Sequence, residues 1–329
     1  MRLRLRRIEG QRVAEVLLPS GWKQVSGSSE VSALLDQRGI APRGDVLPFL
    51  QLDASGRDAL LALAPGLPDA DPEAGQPCVP VALMSFRDFM LFEAHVINAS
   101  RGMVRRLMPR AFPITRAFEA VTKKPFPKFK PHRLWYQQPI YYLSNHNTML
   151  TEGDALPWPS YSNLLDYELE LGAILAKPLL NASPDEAAAA IGGFVVLNDL
   201  SARDVQIDEM QSGFGPQKAK HFASAMSAEI VTADEVLPKL GSLTGAVTIN
   251  GKKVADVSDL NAQFTLPEAI AFASRDEQLV PGELFGSGTL PGGAGMENDA
   301  LIHPGDTLSL TIDGVGELTN TLSAPGNRA

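Results

Sequence analysis

The sequence predicts an α+β protein with mainly antiparallel or mixed strands, divided into a small unit over residues 1–80 and a larger one over 81–329. Three observations carry this. Short β-rich runs bounded by turn residues dominate after residue 139, a few stretches have helical spacing of Ala, Leu and Val, and a Pro-, Asp- and Gly-rich stretch from Pro65 to Pro80 reads as a linker.

The elements follow in chain order. Arg2–Ile8 and Val13–Leu18 flank Glu9-Gly10-Gln11-Arg12 and predict a hairpin. Residues 30–38 and 57–64 have helical spacing. Ser85–Gly102 carries apolar residues at the same spacing and predicts a helix on which Asp88 and His95, seven residues apart, share a face. Residues 107–133 hold Pro109, Pro113, Pro125, Pro127 and Pro131 among basic side chains, which denies them a continuous helix. They predict either an ordered excursion beside the site or at a subunit contact, or a solvated basic loop. Strands are predicted at 139–143, 165–175, 193–197, 246–249 and 307–312, with Asn250-Gly251 as a hairpin turn. Helices are predicted at 184–191 and 267–274.

Composition narrows the function. The chain has 329 residues, 44% apolar and 20% charged, enough to bury a core. A net charge of -9 argues against nucleic-acid binding, which needs clustered Lys and Arg. The one cysteine, Cys78, excludes an internal disulfide and a Cys-based zinc site. The basic start Met1–Arg7 has no apolar region after it and no run approaches the ~20 residues of a membrane helix, so a cytoplasmic protein is expected.

Five segments bear chemistry. In Asp166-Tyr-Glu168-Leu-Glu170-Leu, alternation along a strand puts Glu168 and Glu170 on one face, about 7 Å apart, where they repel unless a cation lies between them. A solvated polar face is the alternative, but the following Leu171–Leu175 run looks buried and charge beside it needs a partner. Asp199 stands at the end of the apolar strand Gly192–Asn198; alone it would be a turn acid, and with the two glutamates it completes a set of hard oxygen donors suited to Mg²⁺, Ca²⁺ or Mn²⁺. His95 is a candidate general base, although a lone histidine is more often structural. Lys218-Ala-Lys220-His221 would by default be a surface loop, and the Gly-rich run Gly282–Gly295 lacks the ending of a phosphate loop.

Taken together and in order, these segments resemble the fumarylacetoacetate hydrolase family over roughly residues 80–325. The resemblance rests on Asp166-Tyr-Glu-Leu-Glu-Leu, Asn198-Asp-Leu-Ser-Ala-Arg-Asp-Val-Gln206, Gly286-Ser-Gly-Thr289 and the ending Pro304–Asn320. It implies a mixed β-roll catalytic domain, with residues 1–80 as a small N-terminal mainly-β domain, and a homodimer. It implies Asp88, Glu168, Glu170 and Asp199 as ligands of Mg²⁺ or Ca²⁺, with Mn²⁺ as a further choice. His95 would be the base for water, Glu297 its orienting partner, and Lys220 and Arg203 would stabilise oxyanion charge. Tyr142, Gln206 and Thr289 would contact substrate. The implied reaction is hydrolysis of a carbon–carbon bond in a diketone or acylpyruvate-like acid. Met90 stands where fumarylacetoacetate hydrolase has a substrate-binding tyrosine, which points to a different acyl group. The same scaffold also serves 2-oxo acid decarboxylases, isomerases and tautomerases; a biosynthetic cyclase and a non-catalytic metal-binding protein are the remaining alternatives.

Overall fold

The computed structural model describes residues 1–324. Its main element is a 12-stranded mixed sheet. Two strands form its centre, Leu169–Leu175 and Ile191–Asn198, paired antiparallel with Leu169 opposite Asn198 and Gly172 opposite Val195. Every residue of both is buried. That explains their near-continuous apolar sequence: both faces of the sheet are covered, so alternation is lost. Glu283–Gly286 flanks them, followed by Ser85–Phe89 and Tyr141–Ser144. A five-stranded sheet closes the chain, built on Thr244–Ile249, Lys252–Ser258, Thr307–Ile312 and Gly316–Leu322 with the short strand Ala155–Leu156. Its predicted Asn250-Gly251 turn is present, with φ 51° and 77°, the left-handed values that a two-residue hairpin turn demands.

Local chemistry accounts for the two late helices. Pro184–Ala190 and Leu266–Ala273 each begin at a capping box, Ser183 with Glu186 and Thr265 with Glu268, in which hydroxyl and carboxylate satisfy each other's backbone N–H groups.

The predicted N-terminal hairpin is present as Arg2–Ile8 and Gln11–Leu18, followed by helices Ser29–Asp36 and Ala54–Leu63. The N-terminal region is β-rich, and its first strand pairs with Glu229–Thr232, Leu3 opposite Ile230. Leu3, Leu5, Val16, Leu47 and Leu50 share one apolar cluster with Ile174, Val195, Leu197, Ile230 and Leu284. Sheet and core therefore run without a break across residue 80. Within the stretch that reads as a linker, Gln76–Cys78 pairs with Leu5–Arg7 as a short strand.

The expected helix over Ser85–Gly102 is a strand followed by a helix. Ser85–Phe89 is extended and Glu93–Leu107 is helical, so Asp88 lies in the sheet and His95 on the first turn of the helix. Asp88 pairs opposite Gly286 on one side and Tyr142 on the other. Strand pairing decides its state, and the apolar spacing, shared by a buried strand and a helix, does not.

Residues 107–133 form an ordered excursion. Phe112–Thr122 is a helix that carries Pro113 in its first turn, where a missing N–H is harmless, and short 3₁₀ turns follow at Pro127–Phe129 and Arg133–Tyr136. Glu119 ties the excursion down: its carboxylate takes a fork from Arg101 at 2.9–3.0 Å and the N–H of Phe126 at 3.0 Å.

Candidate functional site

Three strands and a strand end converge on one buried acidic centre. Asp88, Glu170 and Asp199 each offer a carboxylate oxygen, and these oxygens lie within 4.8 Å of one another. Glycine makes this closeness feasible: a Cβ at Gly286 would stand 2.4 Å from Asp88 Oδ1 and 2.8 Å from Glu170 Oε2. Glu170 accepts the N–H of Gly288 at 3.2 Å and the hydroxyl of Thr289 at 3.4 Å. Asp199 accepts the hydroxyl of Tyr142 at 2.6 Å and that of Ser224 at 3.3 Å. Asp88 Oδ1 is buried and has no hydrogen-bond partner among the described residues. Burial, and after it the neighbouring Asp199, push the Asp88 carboxyl well above the usual carboxylate range. Burial, then Asp88 and Asp199, do the same to Glu170. Burial, then Asp199, also push the Tyr142 hydroxyl up.

Glu168 sits outside this triad, immediately before its strand. Its Oε2 accepts from Lys220 Nζ at 2.5 Å and its Oε1 from Arg203 Nη2 at 2.7 Å. Burial acts against its ionisation, yet Arg203 and Lys220 outweigh burial and hold its carboxyl well below the usual range. Lys220 also donates to Asp199 Oδ2 at 2.5 Å, so one ammonium joins Glu168 to the triad. Burial would lower the Lys220 pKa, but Asp199 and Glu168 raise it and keep the group charged. Lys220 is thus no surface-loop lysine; it is 3% exposed.

His95 and Glu297, 202 residues apart in sequence, meet here. His95 Nδ1 lies 2.8 Å from Glu297 Oε1, and Nε2 lies 3.6 Å from Glu168 Oε1. Glu297 is held in turn by the N–H of Gly292 at 3.1 Å. A carboxylate only accepts, so Nδ1 carries a proton, and Nε2 is the ring nitrogen turned toward the acidic centre.

Of the three residues expected to touch substrate, Tyr142 and Thr289 reach ligand-type carboxylates, while Gln206 uses its side-chain carbonyl on Arg203 Nη1 at 3.0 Å. Asp166 was not singled out by its sequence, although it opens the Asp166-Tyr-Glu-Leu-Glu motif. It accepts from Arg203 Nε at 2.8 Å and from the backbone N–H groups of Gly295 and Met296 at 2.8 and 3.1 Å. A signal was available in principle: an acid two residues before Glu168 shares that face of an extended chain.

The donor set fits a divalent cation. Among the described residues, six buried carboxylates, those of Asp88, Asp166, Glu168, Glu170, Asp199 and Glu297, face two permanent cations, Arg203 and Lys220. Unpaired buried carboxylates are costly, and hard oxygens with one unpartnered acceptor suit Mg²⁺, Ca²⁺ or Mn²⁺. A cavity of about 270 Å³ lies beside Glu297 between the two helices 93–107 and 112–122, lined also by Arg101, Arg105, Phe112 and Arg116. A larger cavity of about 360 Å³, beside Gln138 and Phe264, is lined by none of these acids.

Fold and centre together define an α+β, mixed-sheet protein with a buried acidic site able to hold a divalent metal. Residues 115–323 match the family described as fumarylacetoacetate (FAA) hydrolase, C-terminal, and the chain belongs to the fumarylacetoacetate hydrolase family. A 4-hydroxyphenylacetate degradation bifunctional isomerase/decarboxylase of Escherichia coli is 27% identical over 198 residues, 59% of this chain and 43% of that protein. Fumarylacetoacetate hydrolase from psychrophilic Exiguobacterium antarcticum superposes with a TM-score of 0.69 at 16% identity, covering 98% of this chain and 99% of that one. A fumarylpyruvate hydrolase from Pseudomonas aeruginosa, in complex with Mn²⁺ and pyruvate, gives 0.55 at 18% identity over 77% and 99%. The family holds hydrolases as well as isomerases and decarboxylases. No helix of the described residues is long and apolar enough to cross a membrane.

Proposed function

We propose that the protein is a metal-dependent hydrolase that breaks a carbon–carbon bond in a small diketone or acylpyruvate-like acid. The observation that carries this reading is the His95–Glu297 pair at 2.8 Å, set beside the acidic triad with Nε2 free of any hydrogen bond among the described residues. A general base at this place can activate water, the reactant that hydrolysis consumes and isomerisation or decarboxylation does not.

Asp88, Glu170 and Asp199 would hold the metal, with Glu168 beside them. When bound, Mg²⁺, Ca²⁺ or Mn²⁺ supplies Lewis acidity toward the substrate's oxygens. His95 Nε2 takes a proton from the water that adds to the substrate carbonyl. Glu297 keeps the imidazole in the right tautomer and stabilises the imidazolium that forms. Lys220 and Arg203, both buried, would stabilise oxyanion charge, which counts for more in a dry site than in water. The carbon–carbon bond then breaks, the departing enolate carbon takes a proton, and an acylpyruvate yields a carboxylic acid and a 2-oxo acid. The cavity beside Glu297 carries Arg101, Arg105 and Arg116 together with Glu119, and Arg116 is the arginine we propose to meet a substrate carboxylate. Tyr142, Gln206 and Thr289 remain the proposed substrate contacts. On the family resemblance, the reading includes a cytoplasmic homodimer, which light scattering and cell fractionation test.

The test is an assay of acylpyruvates and other 2,4-diketo acids with Mg²⁺ or Mn²⁺, before and after EDTA. Product acids should rise only with metal. His95→Ala should lower kcat by a factor on the order of 10²–10⁴ while metal affinity stays close to that of the unaltered protein. Equal activity in that variant would exclude His95 as the base. The second reading, isomerisation or decarboxylation, is favoured by the E. coli relative's activity; a substrate consumed without acid release by water would establish it.

A further inference from the structure

Asp166 is fully buried and accepts four hydrogen bonds with two oxygens. Oδ1 takes the N–H of Gly295 at 2.8 Å and that of Tyr167 at 2.9 Å. Oδ2 takes Arg203 Nε at 2.8 Å and the N–H of Met296 at 3.1 Å. These partners belong to opposite halves of the centre. Arg203 continues to Glu168 Oε1 at 2.7 Å, and through Glu168 to Lys220. Gly295 and Met296 open the single helical turn Gly295–Asn298, which presents Glu297 to His95. Burial pushes the Asp166 carboxyl above the usual carboxylate range, and Arg203 and the N–H of Met296 oppose that shift.

We propose that Asp166 is a positioning residue whose carboxylate sets the Arg203 side of the centre and the Glu297–His95 pair at a common spacing. Both of its oxygens are engaged by protein groups. It acts by pinning Gly295 and Met296: one residue later the chain delivers Glu297, so a shift of this turn by a few tenths of an ångström changes the His95–Glu297 hydrogen bond. The same carboxylate orients the Arg203 guanidinium, whose remaining nitrogens serve Glu168 and Gln206. The inference rests on the functional reading above, in which Arg203 and Glu297 take part in turnover.

Asp166→Asn is the direct variant. It keeps volume and one acceptor oxygen but replaces the other with an NH₂ group that cannot accept from Arg203. The expected result is a fall in kcat of about 10–100-fold, as for other residues that orient a metal-site partner, with KM and the Mn²⁺ dissociation constant within about threefold of the original. The fall in kcat caused by Asp166→Asn should be smaller in a Glu297→Gln background than in the unaltered protein, because one of its two effects acts through Glu297. One readout needs no turnover. The His95 Nδ1 proton, bonded to Glu297, should give a low-field proton NMR signal that moves or disappears in Asp166→Asn.

Several results overturn the inference: an unchanged signal, effects on kcat that multiply in the double variant, or loss of Mn²⁺ affinity in step with kcat. Should Asp166→Asn not fold, Asp166→Glu takes its place, since it keeps the charge and displaces the carboxylate by one methylene from Gly295, Met296 and Arg203. A moved or lost His95 signal in that variant supports the proposal; an unchanged signal, or failure of both variants to fold, overturns it. Wild-type protein inactive on every diketo acid tested would sink the functional reading, and the NMR signal would still decide this one.

Discussion

At the scale of single residues, the centre depends on one position with no side chain at all. Gly286 lies on the strand between Asp88 and Glu170, and any Cβ there would collide with both carboxylates. Gly286→Ala should therefore push a carboxylate oxygen of Asp88 or Glu170 aside. A loss of about tenfold or more in Mn²⁺ affinity, measured by calorimetry, is expected from disturbing a first ligand when even outer partners cost 10–100-fold. Unchanged affinity would show that these two acids do not share an ion. The titration of Asp88 and Glu170 gives a second expectation. Unfolded, both would titrate near the ordinary carboxylate value of about 4. Folded, burial and mutual repulsion hold them well above it, so the metal-free fold binds more protons than the unfolded chain above that value. Their contribution to stability is present at low pH and is lost as pH rises through the raised values. A divalent cation takes the place of those protons. The Tm difference between Mg²⁺ and EDTA samples should accordingly be larger at pH 8 than at pH 5.5, and a difference independent of pH would count against a shared metal site.

At the scale of elements, the helix Glu93–Leu107 carries His95 at its first turn and meets the turn 295–298 near its middle. Gly102 permits that contact: a Cβ at this position would come within 1.9 Å of the Met296 carbonyl oxygen. Gly102→Ala should force the helix away from the turn that bears Glu297. Overpacking of this kind costs roughly 1–3 kcal/mol, which thermal unfolding would register as a lower Tm, and kcat should fall with it because His95 and Glu297 lie on the two elements being separated. A variant with native Tm and native kcat would show the contact to be unimportant. The same helix shows where pattern reading fails. Ser85–Gly102 looked like one helix because Phe86, Phe89, Phe92 and Val96 recur at helical intervals, yet the first five residues are sheet. Phe86 and Phe89 are buried on a strand whose neighbours, Glu283–Gly286 and Tyr141–Ser144, lie far away in sequence.

At the scale of the whole molecule, the N-terminal hairpin is an extension of the main sheet. Its first strand covers the edge of Glu229–Thr232, and its apolar residues pack against strands of the family core. A chain beginning at residue 81 would expose that edge and the inner faces of Ile174, Val195 and Ile230. Unpaired apolar edges invite association. Size-exclusion chromatography of residues 81–329 should show aggregates or an unfolded species, and a monodisperse fragment that still binds Mn²⁺ would refute the dependence.

Much of this was legible in the residues alone. The strand at 169–175, the capped helices at 184–190 and 266–273, the Asn250-Gly251 turn and the closing hairpin all follow from short-range chemistry, which acts between neighbours along the chain. The acidic pattern around Glu168, Glu170 and Asp199 was legible too, because buried-looking apolar runs beside charged residues demand a partner. Only the tertiary structure decided that Asp88 belongs to a strand, that Lys220 is buried between two carboxylates, that Glu168 answers to Arg203 and Lys220 while the other three acids converge, and that Asp166 ties the two halves of the centre together. Each of those facts depends on contacts between segments dozens to hundreds of residues apart, and neither periodicity nor composition records which distant segments the sheet brings side by side.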